Sequence, residues 1–531
     1  MRLPRLVDRA LRFFGYQKRS STVFAGAQGN RLTMDWWATI LSADQEAKSN
    51  LRILRARSRE LVRNSPTAKC YLNLLATNVI GHEGIKYQSK IRNNDNKLND
   101  QLNDKIEDAW KDWCKAGTCT VDGKLSFRGV QDLILRGAAM DGEGFVRMVR
   151  NFPDNKYKFA LQLIDPDQVD HLWSRAKVKN GENEIRMSVE VNEWGKPVAY
   201  WVSPEHPYDI GGTLERQRIP AKEIVHVYDP YRVNQSRGIT WFHCVMLGLK
   251  MLDGYFEAEL VAARTGAAKM GFLRFTDPAT YEAPDPDKRL TIDANPGTIE
   301  QLPPGLEFQS WNVDHPANAF PAFVMAILRQ VATGLGVSYN ALANDLVGVN
   351  FSSIRSGLLM ERDQWRRLQS WFAETFMQRV FDEWLEMAIV SRAIVLDSRD
   401  QERFHVGRWV PRGWPWVDPL KDTQAEVMAI NAGLRSRTKV TAEAGEDFEE
   451  TIEEIAEEND LAKQYRVTLS SDVKKPSTTG EEQVGAEGTG NPPGESGDGA
   501  SGGTEGGRTL VVPSLVSAVP APRVNGKAVT Q

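Results

Sequence analysis

The chain is 531 residues long, 41% hydrophobic and 26% charged, with a formal net charge of −4 and a pI near 6.1. That length suits two to four domains or one elongated multi-part body. The slightly acidic balance excludes a general nucleic-acid coat, so any DNA contact must be local or weak.

Residues 1–45 read as an arm. Its start, MRLPRLVDRALRFFGYQKRS, is basic and partly amphipathic, and Trp36 and Trp37 are candidate anchors. It lacks the uninterrupted apolar core of a secretory signal, and suits either docking on a neighbour or a presequence of the mitochondrial type. From Ala43 to Val79 the pattern is helical, with Leu51, Leu54, Leu61 and Val62 at three- and four-residue steps. Asn64-Ser65-Pro66 breaks it: Ser65 is placed as the N-cap of a second helix, Pro66 at its first position and Gly81 as its C-cap. Further helices are predicted over 98–116, around Leu102, Ile106, Trp110 and Trp113, and over 126–139.

The period then changes. FVRMVR, KFALQLI, IRMSVEV and PVAYWV alternate like strands, separated by Asp141-Gly142, Asn180-Gly181 and Trp194-Gly195, which predicts a small α/β body over 140–232. EIVHVYD ends it. Residues 238–268 contain no proline and are densely apolar, enough for about 45 Å of helix. A proline- and turn-rich insertion follows over 269–312, with strand-like GFLRF and LEFQSW, then a helix from Asn318 to Leu335. After the polar stretch NDLVGVNFSSIRSG (344–357), a long helix is predicted over 352–391, its apolar stripe running from Leu358 through Trp365, Phe372 and Trp384 to Ile389. A basic-aromatic turn, RWVPRGWPWVDP, leads to helices over 419–433 and 446–464. The residues after 465 hold no aromatic side chain and predict disorder. No run of about 20 apolar residues exists, so no membrane-spanning helix is expected.

Signals for chemistry are weak. No Gly-Lys pair is followed by Ser or Thr, which argues against a phosphate-cradling motor loop. His82, His171, His206, His226, His243, His315 and His405 show no ligand spacing. Cys70, Cys114, Cys119 and Cys244 are too sparse for a secreted disulfide framework, and a reducing compartment follows. Cys114 and Cys119 stand near no His or second Cys pair, so a zinc site is not expected. DGEG (141–144) lacks the third glycine of a dinucleotide fingerprint and reads as a turn. LIDPDQVD gathers Asp165, Asp167 and Asp170; such a cluster suits a two-metal nuclease or, more simply, turn chemistry at a strand end. The Arg and Trp of RWVPRGWPW suit base stacking or a packed turn.

Several stretches, in order, resemble the lambda-type family of tailed-bacteriophage portal proteins: RARSRELVRNSPTAKCYLNLLATNVIG (55–81), DGEGFVR (141–147), LQLIDPDQVD (161–170), WGKPVAYWV (194–202), RVNQSRGITWF (232–242), GLGVSYNALANDLVGVNFSSIRSG (334–357) and GWPWVDPLKDTQAE (413–426). The resemblance covers about 45–465; the two ends match no usable pattern. It implies a mixed α+β, predominantly α-helical ring subunit. On it, residues 1–45 are an N-terminal arm, 46–237 a wing of helices plus the α/β body, 238–268 and 313–335 the two stem helices, and 269–312 the clip between them. The tunnel loop then falls at 336–351, the wing's long helix and following strand at 352–410, the crown helices at 411–465, and a disordered tail at 466–531.

The family implies a homo-oligomeric ring, typically of twelve subunits, at one capsid vertex of the virion, assembled in the bacterial host cytoplasm. Double-stranded DNA passes its channel. Large terminase, head–tail connector, major capsid and scaffold proteins are the expected partners, with no membrane, no cofactor and no enzymatic activity. Tyr339, Asn340, Asn344, Asp345, Val347 and Asn350 are the expected DNA-facing residues of the tunnel loop. Residues 336–351 contain no Lys or Arg and only one charge, Asp345, which suits a surface that DNA slides past. A plain connector, with Asn350 or Ser352 capping the long helix, is compatible with this. Arg355 is expected in that helix's first turn, facing a neighbouring subunit. The rival readings are a metal-dependent DNA-processing enzyme built on Asp165, Asp167 and Asp170, and a capsid adaptor without a channel.

Overall fold

The computed structural model describes residues 31, 35, 40–93, 98–176, 182–209, 215–267, 271–275, 306–310, 320–347, 350–395, 404–414, 419–444 and 448–465. Trp36 and Trp37, most of the predicted clip and the tail after 465 lie outside the described residues.

Helix α1 (Ala43–Asn64) starts where Ser42 Oγ accepts the Gln45 N–H, and it stops at Ser65. Pro66 opens α2 (Pro66–Leu75) as expected, but Ser65 makes no side-chain cap bond there. The helical path runs on through a π turn, Ala76–Ile80, to Gly81 at φ +79°. Carbonyls of the π turn are satisfied from outside the helix. Gln369 Nε2 donates to Asn78 O at 3.0 Å, and Arg412 Nη1 to Thr77 O at 2.6 Å. Such bulges persist where neighbouring groups take up the displaced backbone bonds.

A strand that alternation alone did not reveal, β1 (Lys86–Ser89), pairs antiparallel with a strand more than 300 residues later, Gly407–Val410. Helices α3 (Asp100–Trp113) and α4 (Phe127–Met140) follow, each with its N-cap side chain in place, Asn99 and Ser126. They bury Ile106, Trp110, Trp113, Phe127 and Leu135.

Two antiparallel sheets form the α/β body. In the first, β2 (Gly144–Arg150) lies between β3 (Phe159–Ile164) and β8 (Ile224–Val227). The second runs β4 (Glu184–Arg186), β5 (Val189–Val191), β6 (Pro197–Val202), β7 (Gln217–Pro220). IRMSVEV is therefore a hairpin, not one strand. Met187 and Ser188 carry φ of +48° and +68°, and Arg186 pairs with Val189. Both central residues at positive φ make the twist-matched two-residue turn, but without the Asn or Gly that usually signals it. Phe145, Ile164, Val189, Tyr200, Ile219 and Ile224 pack together as a second core beneath these sheets.

Helix α5 (Met246–Ala267) starts later than its apolar run suggests. Residues 238–240 are not helical, and a 3₁₀ turn, Trp241–Cys244, intervenes with Thr240 Oγ1 accepting the Phe242 N–H. Strands β9 (Gly271–Phe275) and β10 (Leu306–Ser310) pair antiparallel. Helix α6 (Phe320–Leu335) returns beside α5: Tyr255 lies 5.5 Å from Phe320 and 5.2 Å from Phe323 by ring centroid, while Gly334 abuts Val245 at the other end. A Cβ on Gly334 would stand 2.5 Å from Val245 Cγ1, so only glycine permits this approach.

A short helix, α7 (Tyr339–Ala343), precedes the long one. The latter is α8 (Phe351–Phe372), a π turn (Ala373–Met377) and α9 (Gln378–Val390). Its apolar stripe meets α3 and α4. Trp110 is surrounded by Trp113, Phe127, Phe381 and Trp384 at 4.9–5.2 Å between centroids. Burying a Phe-sized side chain contributes about 1.5–3 kcal/mol, so this aromatic cluster is the main adhesive between the first third of the chain and the long helix. Strand β11 (Gly407–Val410) closes on β1, and α10 (Pro419–Asn431), α11 (Arg437–Ala444) and α12 (Phe448–Tyr465) end the described chain. The whole is mixed α+β and predominantly helical.

Candidate functional site

The stretch between α6 and α8 is built by local caps. Gly336, at φ +70°, ends α6: its N–H bonds Thr333 O and the Val337 N–H bonds Ala332 O, the paired bonds of a Schellman stop. Ser338 Oγ then accepts the Ala341 N–H and starts α7. Asn344, left-handed at φ +51°, ends it, with the Asp345 N–H returning to Asn340 O. Leu342 is buried and seats α7 in the main core.

Asp345 ties this knot. Its Oδ2 accepts the Tyr339 hydroxyl at 2.7 Å and its Oδ1 accepts the Val347 N–H at 2.9 Å. Those two bonds hold its carboxyl below the usual range, and Asp345 in turn raises the Tyr339 hydroxyl. The Arg329 guanidinium lies 5.4 Å from the Tyr339 ring centroid. Beyond the knot the chain projects Leu346 and Val347, the latter 90% exposed. Of the six expected loop residues, Asn344, Val347 and Asn350 are exposed, while Tyr339, Asn340 and Asp345 are partly covered. The segment is thus a capped helical turn with an aliphatic tip. The long helix begins at Phe351, directly after Asn350, whose carbonyl accepts the Ile354 N–H. Arg355 lies in its first turn and pairs with Asp422 of α10 at 2.8 Å.

Sequence reasoning missed a second constellation, a buried ion network. Glu143 is its centre, with its side chain fully buried. Arg237, equally buried, grips it with Nε and Nη2 at 2.6–3.0 Å. Arg55 adds a bond at 2.7 Å, and the Gly238 N–H one at 3.0 Å. His226 Nε2 stands 2.9 Å from Glu143 Oε2. Burial pushes His226 down; a carboxylate only accepts, so Nε2 carries a proton and Nδ1 faces the Tyr200 hydroxyl at 3.4 Å. Burial also opposes the charge on Glu143, but Arg237 and His226 more than offset it and hold the carboxyl well below the usual range.

The network continues to the surface. Arg55 reaches Asp167 at 2.6 Å, and Arg59 bonds Asp141, Asp167 and Asp165 at 2.6, 2.6 and 3.1 Å. Backbone geometry makes room for it. Gly142 sits at φ +92°, and a Cβ on Gly238 would lie 1.9 Å from Gly142 O, so the two glycine backbones touch. The motif stretches around Arg55, DGEG, DPDQ and SRG thus meet at one point of the fold. The available signal was charge in turn sequences: Glu143 and Arg237 each sit beside glycine, where exposed turns need no such pair.

The three-aspartate group of the rival reading does not form, and Asp165 instead caps the turn, its Oδ1 accepting the Asp167 N–H at 2.8 Å. Asp170 is held by Arg216 at 2.6 Å, and His206 takes its place near Asp165 and Asp167. Both Asp167 oxygens and Asp165 Oδ1 already accept from arginine guanidinium groups. Positive charge stands where a divalent cation would need carboxylate, so these residues fit ion pairing and not metal chemistry. His171 lies within electrostatic reach of Asp167 and Asp170, with burial the largest influence on it, while His405 Nδ1 contacts Asp382 at 2.9 Å.

Comparison with known proteins gives a consistent picture. The profile of the family described as "Phage portal protein, lambda family" matches residues 29–369, a span that includes the loop and the whole ion network. A probable portal protein of Halomonas phage phiHAP-1 is 36% identical over 449 residues, covering 82% of this chain and 86% of that protein. Portal protein B of Escherichia phage lambda is 25% identical over 389 residues, covering 65% and 71%. Among solved structures, a chain from the neck of a native gene transfer agent particle, computed with C12 symmetry, aligns at TM-score 0.40 and 12% identity, covering 73% of this chain and 93% of that one.

Proposed function

The chain belongs to the lambda family of phage portal proteins, and on that premise we propose that it forms the ring through which double-stranded DNA enters and leaves a capsid. In this reading copies of the chain, twelve by the family's habit, close a ring at one capsid vertex. The ring docks the large terminase during packaging and the head–tail connector afterwards, and it meets the major capsid and scaffold proteins during assembly in the host cytoplasm. Its role is structural, without catalysis of its own. Helices α5 and α6 serve as the stem, β9 and β10 as the root of the clip, α8–α9 as the wing helix and α10–α12 as the crown. The α6–α8 loop lines the channel.

One observation carries the ring. Helix α5 leaves Leu247, Met251, Leu260 and Val261 open to water, each more than half exposed, and α6 adds Phe323 at 50%. Leu247, Met251 and Val261 share one face with Gly254 and Ala258 between them. Apolar surface of this extent marks a contact with another chain, and a head-to-tail contact between copies closes into a ring. The loop supports the channel: its tip offers aliphatic and amide groups, and its one carboxylate is engaged by Tyr339 and Val347. Native mass spectrometry of the purified protein tests the reading. A closed oligomer is expected; monomers alone under assembly conditions overturn it. A channel-less adaptor is separated by density on the ring axis.

A further inference from the structure

A groove of about 830 Å³ opens beside the start of α1. Its walls come from the first turn of that helix, from β4, from the β5–β6 turn at Trp194 and from the loop that carries Val233. Two large apolar side chains in it lie open to water: Trp194 is 85% exposed and Val233 89%. Both sit on fixed turns. Asn192 Oδ1 accepts the Trp194 and Lys196 N–H groups at 3.0 and 2.9 Å, and Gly195 closes that turn at φ +77°. Gln235 Oε1 accepts the Tyr231 and Arg232 N–H groups at 3.2 and 3.3 Å and so holds the loop around Val233. Exposed apolar groups gathered in one concavity mark a contact surface.

The charges around the groove are already matched. Arg186 pairs with Glu184 at 2.9 Å, Arg175 with Glu182 at 3.5 Å and Arg232 with Glu46 at 2.6 Å. Lys48 donates to Ser174 Oγ at 3.2 Å. Such a groove suits an uncharged, apolar occupant and not a phosphate group.

The chain itself supplies one. Leu41 O accepts from Arg232 Nη2 at 3.3 Å, so the polypeptide enters α1 along the groove's wall, and Ile40 before it is fully exposed. Just upstream, outside the described residues, stand Trp36 and Trp37 in WWATIL (36–41), a stretch without charge. From Trp37 to Ser42 an extended chain spans about 17 Å. Ser42 and Trp194 line the same groove, so the tryptophans can reach it without crossing to another copy. The family match begins at residue 29, which makes this stretch part of the shared body.

We propose that Trp36 and Trp37 of the N-terminal arm dock in this groove of their own chain, against Trp194 and Val233. Docking there anchors the arm at the first turn of α1.

Hydroxyl-radical footprinting read by mass spectrometry tests this, because Trp194 is oxidised only as fast as water reaches it. In unassembled full-length chains Trp194 should be modified several-fold more slowly than in W36A/W37A or V233D chains. Tyr208, exposed outside the groove, should react alike in all three. The variants alter opposite sides of the contact, so either one suffices if the other loses helix content by circular dichroism. Fast modification of Trp194 in the wild type overturns the proposal, as does slow modification that survives the variants. Protection that appears only in assembled rings also overturns it and gives the groove to a neighbouring copy's arm.

Discussion

Glu143 shows how one side chain can hold distant parts of this chain together. It accepts from Arg55 of α1, from Arg237 and Gly238 ahead of α5, and from His226 of β8, all in a dry environment. Removing it leaves Arg237 buried without its counter-charge and Arg55 with Asp167 alone. Glu143→Ala should therefore cost about 3–5 kcal/mol, read as a lower denaturation midpoint, with Glu143→Gln intermediate. An unchanged midpoint would mean the network is incidental to stability. The pH dependence has a fixed sign. Glu143 and Asp167 are both held below the ordinary carboxylate value, so their stabilisation is present above about pH 4 and is lost as pH falls through their lowered folded values. Denaturation midpoints at pH 7 and pH 3 should fall steeply for the wild type and less for Glu143→Gln; parallel falls would assign acid sensitivity to other groups.

At the scale of elements, the α6–α8 segment separates a mechanical role from a stabilising one. Leu342 of α7 is buried in the main core with Tyr339 packed against it, and the tip is solvent-exposed. Deleting Ala343–Val349 should leave ring assembly intact and impair DNA packaging or retention; normal packaging with the deletion would reduce the segment to a connector. Helix α5 makes the opposite demand. Leu247→Glu with Met251→Glu places charge on its exposed apolar face and should yield folded monomers of unchanged helix content by circular dichroism. An intact ring would show that this face meets no neighbouring copy. Much of this level was legible in sequence. The break at Ser65-Pro66, the stop at Gly81 and the stripe from Trp365 to Ile389 follow local rules of capping and periodicity, and each appears in the structure. What was not legible has a physical reason. IRMSVEV keeps an unbroken alternation through a turn that carries no turn residue. The start of α5 is delayed by a glycine contact with a backbone nearly 100 residues away. The π turns depend on donors such as Gln369, and the pairing of β1 with β11 on partners over 300 residues apart. The ion network is of the same kind: each charge reads as an ordinary turn or helix residue until tertiary structure brings its partner. For the loop, its lack of cations was plain in sequence, but the Tyr339–Asp345 bond that shapes it was not.

For the whole molecule, the described parts form a subunit with a full aromatic core and an unfilled apolar surface on its paired helices α5 and α6. Family membership and that surface lead to the same assembly, a ring, which in the proposed reading is lined by the cation-poor loop. The central claim is that the ring encloses a DNA channel narrowed by the α6–α8 loops. Electron microscopy of the purified assembly viewed down its symmetry axis tests it most directly. The account predicts a closed ring with an axial hole wide enough for a duplex, narrowest at residues 338–347. A ring without an axial hole, or one with these residues on its outer surface, would contradict it.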